Sequence, residues 1–149
     1  HHNGRIVLVG HSAGGHLVLW LSAARGMPQL AGALALGPAA DLRLAHERHL
    51  GDGAAQAFLG TLPEHRKDVD PNALASPIAP VTIVHGEEDE IVPMALAESY
   101  VTAHPGTRLV RLSRAGHFAV IDPASTAWPV IVAELRALSQ REAAAQRRR

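Results

Sequence analysis

The chain has 149 residues and equal numbers of basic and acidic side chains, 14 of each, so its formal net charge at pH 7 is +0 with histidine neutral. This balance excludes any electrostatic argument for binding nucleic acid or an anionic membrane. The lack of cysteine excludes disulfide bonds, thiolate zinc sites and thiol catalysis. The length is that of one domain with its own hydrophobic core.

The pentapeptide Gly10-His11-Ser12-Ala13-Gly14 lies between an apolar run at residues 5–9 and a helical pattern at 15–25. A G-x-S-x-G sequence between a strand and a helix is typical of a sharp turn that exposes its serine, and glycines two residues before and after the serine let neighbouring segments come close. Such a turn also places the N–H of Ala13 at the start of the helix, where it can stabilise an oxyanion. Ser12 is therefore a candidate nucleophile, and a helix N-cap is the alternative interpretation.

Apolar runs predict four strands, with helices between them. The strands lie near residues 5–9, 31–36, 81–85 and 107–112. The first run is almost continuously apolar, which is typical of a strand that is covered on both faces in a parallel sheet. Further helices are predicted at 93–104 and from about residue 126 onward, because apolar side chains recur there at helical spacing.

Residues 41–80 form a long, charged connection between the second and third predicted strands. An α/β connection usually spends about 10 to 15 residues on its crossover helix, so we expect part of this segment to form a lid or pocket wall over Ser12. Four apolar side chains in it are candidates for lining the pocket or, alternatively, for ordinary core: Leu44, Leu50, Phe58 and Leu59.

A serine hydroxyl becomes an effective nucleophile only when a base accepts its proton and a third group orients the base. The third predicted strand leads into the acidic loop 87–90, in which Asp89 is the candidate acid. The fourth predicted strand leads through Gly116 to His117, the candidate base. A solvated acidic loop and a structural histidine are the alternative interpretations of these two residues.

Other histidines near these segments have expected supporting roles. His11 and His16 flank Ser12, where we expect them to line the pocket or to bond to backbone groups. We expect His85 to hold the acidic loop from inside. His46 and His49 share helical spacing, but with no third ligand at a fitting distance along the sequence they do not predict a metal site.

Three segments of the sequence resemble the signature segments of the α/β-hydrolase fold. They are the turn at 10–16, the segment His85-Gly86-x-x-Asp89-x-x-Val92-Pro93 and the segment Gly116-His117-Phe118. The turn and the closing segment 117–123 resemble, more narrowly, the esterase and kynurenine-formamidase-like branch. The similarity covers nearly the whole chain. It implies an α/β fold with three αβα layers and a mostly parallel sheet, of which about four strands, the second half, lie in this sequence.

The resemblance also implies the role of each site residue. Ser12 is the nucleophile, Asp89 the acid and His117 the general base, and Ala13 is the backbone donor to the oxyanion. Asp41 is the alternative acid, because this fold sometimes carries its acid after the preceding strand. The implied reaction is cleavage of small carboxylic esters through an acyl-enzyme, and hydrolysis of an aryl formamide of the N-formylkynurenine type is the alternative. We expect no cofactor and no metal ion, and a small ester or amide as substrate.

In the family, further strands and a His-Gly-Gly loop with a second oxyanion donor precede the serine turn. We therefore expect residues 1–149 to form a single α/β-hydrolase domain that is N-terminally incomplete, with a frayed tail at 141–149. The strand at residues 6–9 would then present a bare apolar edge, which favours pairing into a homodimer. The alternative hypothesis is a catalytically incompetent fragment that needs the missing N-terminal half.

Overall fold

The computed structural model describes residues 4–24 and 27–146, with side chains described as far as residue 140. In chain order the helices and strands are β1 (Ile6–His11), α1 (Ala13–Ser22), β2 (Leu30–Leu36), α2 (Leu42–Glu47), α3 (Ala54–Leu59), β3 (Val81–Gly86), α4 (Met94–Ala103), β4 (Arg108–Leu112) and α5 (Trp128–Gln146). Short 3₁₀ turns lie at Pro63–His65, Pro71–Ala73 and Ala119–Ile121. The four predicted strands are confirmed, with ends that differ by one or two residues.

The strands form one parallel sheet in the order β1-β2-β3-β4. Its register aligns the strand ends, because His11 pairs with Leu36 and Leu36 pairs with Val84, while Gly86 pairs with Leu112. In a parallel sheet the loops after the strands lie together at the carboxyl end of the sheet, which is where open α/β sheets carry their sites. The serine turn, the acidic loop and the loop after β4 that contains His117 therefore lie at this end of the sheet.

Alternate side chains of the central strands enter two separate cores on opposite faces of the sheet. From β2, Ala33 and Ala35 pack with residues of α1 and α4, while Leu34 and Leu36 pack with residues of α5. Both β2 and β3 are buried along their whole length, as expected for parallel strands with helices on both sides. The predicted three-layer αβα arrangement is confirmed.

Strand β1 is less buried than the sequence predicted. Ile6 is 41% exposed and Val9 is 48% exposed, although Val7 and Leu8 pack against the two cores. In the described part of the chain β1 pairs with β2 alone, so it forms one edge of the sheet. The prediction that residues 5–9 are covered on both faces therefore holds for Val7 and Leu8 but not for Ile6 and Val9, where the described chain has the exposed apolar edge that was expected at residues 6–9.

The long connection at 41–80 contains α2, α3 and two of the 3₁₀ turns. Leu44 and Leu50 pack against a small apolar cluster that contains Val92 and Leu96, which favours ordinary core for these two side chains. Phe58 is exposed on α3. The lid or pocket wall that the sequence predicts for this segment stays a prediction.

Helix α5 covers the face of the sheet opposite α1. Ile131 and Leu138 are buried in the same core as Leu34, and Trp128 and Leu135 pack against that core. The backbone of α5 is helical to Gln146, and the last three residues of the predicted frayed tail, 147–149, lie outside the described residues. Within the residues that the structure describes, we find no helix with the length and apolar character needed to cross a membrane.

Candidate active site

Ser12 occupies a strained turn between β1 and α1. Its backbone angles are φ 56° and ψ −118°, and a positive φ at a non-glycine residue costs about 1–3 kcal/mol. The turn is held because Ser12 N–H donates to Leu36 O at 2.9 Å and Ser12 O accepts from His16 N–H at 3.0 Å. Ser12 stands at the N-cap position of α1, but its hydroxyl makes no capping hydrogen bond, so capping does not account for the serine side chain.

The glycines around Ser12 allow α1 to pack closely, but not at both of the predicted positions. A Cβ at Gly10 would lie 2.3 Å from Gly14 O and 2.8 Å from Val18 Cγ2. A Cβ at Gly14 would meet nothing within 4 Å, whereas one at Gly15 would lie 2.9 Å from Pro38 Cβ. The close approach after the serine is therefore made at Gly15, which faces the chain leaving β2.

Ala13 is the first residue of α1, and its side chain is exposed. A residue at this position has no carbonyl one turn earlier within the helix to accept its N–H. The positive end of the helix dipole lies at the same place and favours negative charge. This geometry is compatible with the predicted role of Ala13 as an oxyanion donor.

Asp89 lies in the loop after β3 and is 8% exposed, whereas its neighbours Glu87, Glu88 and Glu90 are exposed. Its Oδ1 accepts hydrogen bonds from Ile91 N–H at 3.0 Å and from Val92 N–H at 2.7 Å. These bonds orient the carboxylate and leave Oδ2 to face the histidine loop. The interpretation of the whole acidic run as a solvated loop is therefore wrong for Asp89.

His117 lies in the loop after β4 and is 6% exposed. Its Nδ1 lies 2.7 Å from Asp89 Oδ2, so Nδ1–H donates to the carboxylate and Nε2 is left as the acceptor. The structure thus brings the predicted acid and base together. In the described part of the chain there is no hydrogen bond between Ser12 Oγ and His117. The serine turn contacts His117 through the neighbouring residue His11.

His11 Nε2–H donates to the main-chain oxygen of His117 at 2.9 Å, and the two ring centroids lie 4.4 Å apart. His16 Nδ1 lies 3.2 Å from Ala39 O. The expectation that both histidines bond to backbone groups is confirmed. Burial lowers the pKa of His11 and the pKa of His16, which favours neutral imidazole rings beside the serine turn.

His85 is fully buried behind the acidic loop. Its Nε2–H donates to Val92 O at 2.8 Å and lies 3.4 Å from Asp89 Oδ2. Burial lowers the pKa of His85 and favours the neutral imidazole. The expectation that His85 holds the acidic loop from inside is confirmed.

Asp41, the alternative acid, is fully buried and bonded elsewhere. Its Oδ1 accepts from Leu44 N–H at 2.8 Å at the start of α2, and its Oδ2 accepts from Ser99 Oγ–H at 2.5 Å and from Asn72 Nδ2–H at 3.0 Å. In the described chain His117 pairs with Asp89 and not with Asp41. The contacts of Asp41 are those of a helix cap and a buried anchor.

The candidate metal pair His46 and His49 has ring centroids 6.3 Å apart. Among the described residues we find no group of three or more His, Asp or Glu side chains that could hold a metal ion.

One site feature was missed by sequence reasoning: Gly37, which the sequence marks only as the end of a strand. The available signal was its position, directly after a buried strand at the edge where the other site residues lie.

A family model described as "Serine hydrolase" matches residues 1–137. No curated protein sequence matches significantly. Among solved structures, the chain is similar to native esterase 2 from Thermogutta terrifontis, with 24% identity over 93% of this chain and 55% of that chain, at a TM-score of 0.68.

Two further structures are similar. The esterase domain of a Rhodothermus marinus protein is 22% identical over 89% of this chain and 60% of that chain, at a TM-score of 0.63. An α/β-hydrolase enzyme from a sediment metagenome of the Mar Chica lagoon is 17% identical over 93% of this chain and 63% of that chain, also at 0.63. The chain thus spans little more than half the length of these structures, and the likeness confirms the α/β-hydrolase fold.

Proposed function

Because the chain belongs to the serine hydrolase family, we propose that it cleaves small carboxylic esters through an acyl-enzyme formed on Ser12. One observation carries the proposal. Ser12, held at positive φ, lies at the same carboxyl end of the sheet as the buried hydrogen bond of 2.7 Å between His117 and Asp89. A strained serine turn and a carboxylate-oriented histidine are the two parts that serine nucleophilic catalysis needs.

The proposed reaction begins with attack of Ser12 Oγ on the ester carbonyl while His117 Nε2 accepts the hydroxyl proton. Asp89 holds the imidazole through Nδ1–H and stabilises its positive charge, and the N–H of Ala13 donates to the oxyanion. His117 then gives its proton to the leaving alcohol, which leaves the acyl group on Ser12. A water molecule attacks this acyl group as His117 takes its proton. The bond between the acyl carbon and Ser12 Oγ then breaks, His117 returns the proton to Ser12 Oγ, and the acid is released.

An ester is favoured over an amide as the substrate by the relatives. Esterase 2 from Thermogutta terrifontis, 24–25% identical, has been solved with propionate bound and in a form phosphoramylated by tabun. Propionate has the size of a short acyl product. Phe118, exposed with its ring edge-on to His117 at a centroid distance of 5.2 Å, offers an apolar surface beside the proposed base.

The test is the intact mass of the chain after exposure to a fluorophosphonate. We expect one adduct per chain that is lost in Ser12→Ala and retained in Ser139→Ala, a matched serine variant on the exposed side of α5. Short-chain p-nitrophenyl esters and an aryl formamide, assayed side by side, then distinguish esterase from formamidase activity. Lack of labelling in a chain that circular dichroism shows to be folded would overturn the proposal and favour a catalytically incompetent fragment.

A further inference from the structure

The chain leaving β2 contacts every part of the candidate site. We call residues 36–39 the exit segment. Leu36 O accepts from Ser12 N–H at 2.9 Å and Ala39 N–H donates to Ser12 O at 3.4 Å, so both ends of the exit segment are bonded to the serine turn. Between them, Gly37 N–H donates to Val84 O of β3 at 2.9 Å. The exit segment therefore ties the serine turn to the strand that carries the acidic loop.

Gly37 lies directly against the hydrogen bond between Asp89 and His117. A Cβ at this position would lie 3.2 Å from Asp89 Oδ2, 3.4 Å from His117 Nδ1 and 3.6 Å from His117 Cε1. The first two atoms are the acceptor and donor of the 2.7 Å bond. The 3.2 Å approach to Asp89 Oδ2 is tighter than ordinary van der Waals contact, and the 3.4 Å approach to His117 Nδ1 lies at its lower limit. A side chain at Gly37 therefore requires the carboxylate to shift by a few tenths of an ångström.

The backbone at Gly37 also favours glycine, since its φ is +49°. This second requirement is separate from the first, because a positive φ strains any L-residue whether or not its Cβ meets a neighbour. The structure offers a glycine that shares the backbone requirement alone. Gly60 has φ +67° at the end of α3, and a Cβ there would meet nothing within 4 Å.

We propose that Gly37 is a positioning residue. By presenting no side chain, it lets the exit segment lie over the Asp89–His117 bond and fix that pair at a set distance from Ser12. Its consequence for turnover rests on the proposed function, whereas its consequence for the hydrogen bond does not. Active-site geometry is sensitive to displacement: a misplacement of about 1 Å can cost about 10²-fold in rate, so a shift of a few tenths of an ångström should cost less.

The experiment compares Gly37→Ala with Gly60→Ala by proton NMR. The proton that His117 Nδ1 donates to Asp89 should give a far-downfield imidazole resonance, assigned by its loss in Asp89→Asn. We expect this resonance to shift or disappear in Gly37→Ala and to stay unchanged in Gly60→Ala. A third variant, Gly37→Asn, adds a Cβ with less backbone strain because asparagine tolerates positive φ, and it should behave like Gly37→Ala.

If the wild-type chain is labelled by the fluorophosphonate, the kinetics give a second readout. We expect kcat to fall severalfold in Gly37→Ala, by less than the roughly 10²-fold cost of a misplacement of about 1 Å, with KM changed less, and both to be retained in Gly60→Ala. An unshifted resonance in both Gly37 variants would overturn the proposal. So would failure of both to fold while Gly60→Ala folds, because Gly37 would then serve the fold and not the pair. The NMR outcome stands even if no labelling occurs.

Discussion

The Nε2 atom of His11 lies 2.9 Å from the main-chain oxygen of His117, and the two imidazole rings are tilted by 46° with centroids 4.4 Å apart. The residue before the proposed nucleophile thus holds the loop that carries the proposed base. Since Ser12 and His117 lie 105 positions apart in the chain, this contact sets their relative position more directly than any local feature.

We predict that His11→Phe lowers the rate of fluorophosphonate labelling, while His11→Gln retains more of it. Phenylalanine keeps a ring against His117 but removes the donor to its carbonyl oxygen, and an unsatisfied buried carbonyl costs about 1–3 kcal/mol. Glutamine keeps an N–H donor and loses the ring. The control is His65→Phe at an exposed position on the surface. Equal labelling rates in His11→Phe and wild type would show that the contact does not position the base.

The two candidate acids are expected to fail in different ways. Asp89→Asn should reduce labelling by up to about 10⁴-fold, because it leaves the histidine without the carboxylate that sets its tautomer. Asp41→Asn should keep labelling and lose at least about 1 kcal/mol of unfolding free energy, because the cap of α2 and the bonds from Ser99 and Asn72 are weakened. Urea unfolding and labelling rates measure both effects. The reverse pattern would make Asp41 the acid.

Sequence motifs predicted the candidate site residues that the structure brings together. Ser12, Asp89 and His117 each come after a strand, and the loops at the carboxyl ends of parallel strands lie at one edge of the sheet, so their proximity could be expected from sequence order. The role of Gly37 could not be predicted in this way, because it depends on which atoms lie within about 3.5 Å in space. The sequence also could not show that Gly15, and not Gly14, makes the close contact after the serine, because that contact depends on Pro38 facing α1.

The apolar pattern of β1 alone predicted more burial than Ile6 and Val9 have, for a related reason. Hydrophobicity along residues 5–9 records that the strand is apolar, but the number of neighbouring strands is decided by the rest of the sheet. Asp41 shows the converse. Its position after β2 allowed a catalytic role, and only the spatial partners Ser99 and Asn72 reveal a structural one.

Folding stability is expected to fall as pH drops below about 6.5, partly through His85. Burial lowers the pKa of His85, so below the unfolded value the unfolded chain binds more protons than the native chain, and stability is lost as pH falls. One such group contributes no more than about 1.4 kcal/mol per pH unit. His85→Gln keeps an N–H donor for Val92 O and removes the titration. Urea unfolding at pH 7 and pH 5 should therefore show a smaller loss in the variant.

Two half-buried histidines define the control for this experiment. The pKa values of His11 and His16 are lowered by burial too, so His85→Gln should reduce the pH dependence without abolishing it. If His85→Gln and wild type lose the same unfolding free energy between pH 7 and pH 5, the lowered pKa of His85 does not contribute to the pH dependence of stability.

We propose that the exposed edge of β1 pairs with a second copy of the chain. Ile6 and Val9 are 41% and 48% exposed there, and an apolar edge strand offers unpaired backbone groups as well as apolar side chains. Val7 packs inside against the core with α5, so a charge at that position would disturb the fold itself.

Val9→Lys places the charge on the exposed side and should convert a dimer to a monomer in analytical ultracentrifugation. Phe58→Lys, which adds the same charge at an exposed apolar position on α3, should leave the dimer intact. A wild-type chain that stays monomeric up to millimolar concentration, or a dimer that survives Val9→Lys, would contradict edge pairing.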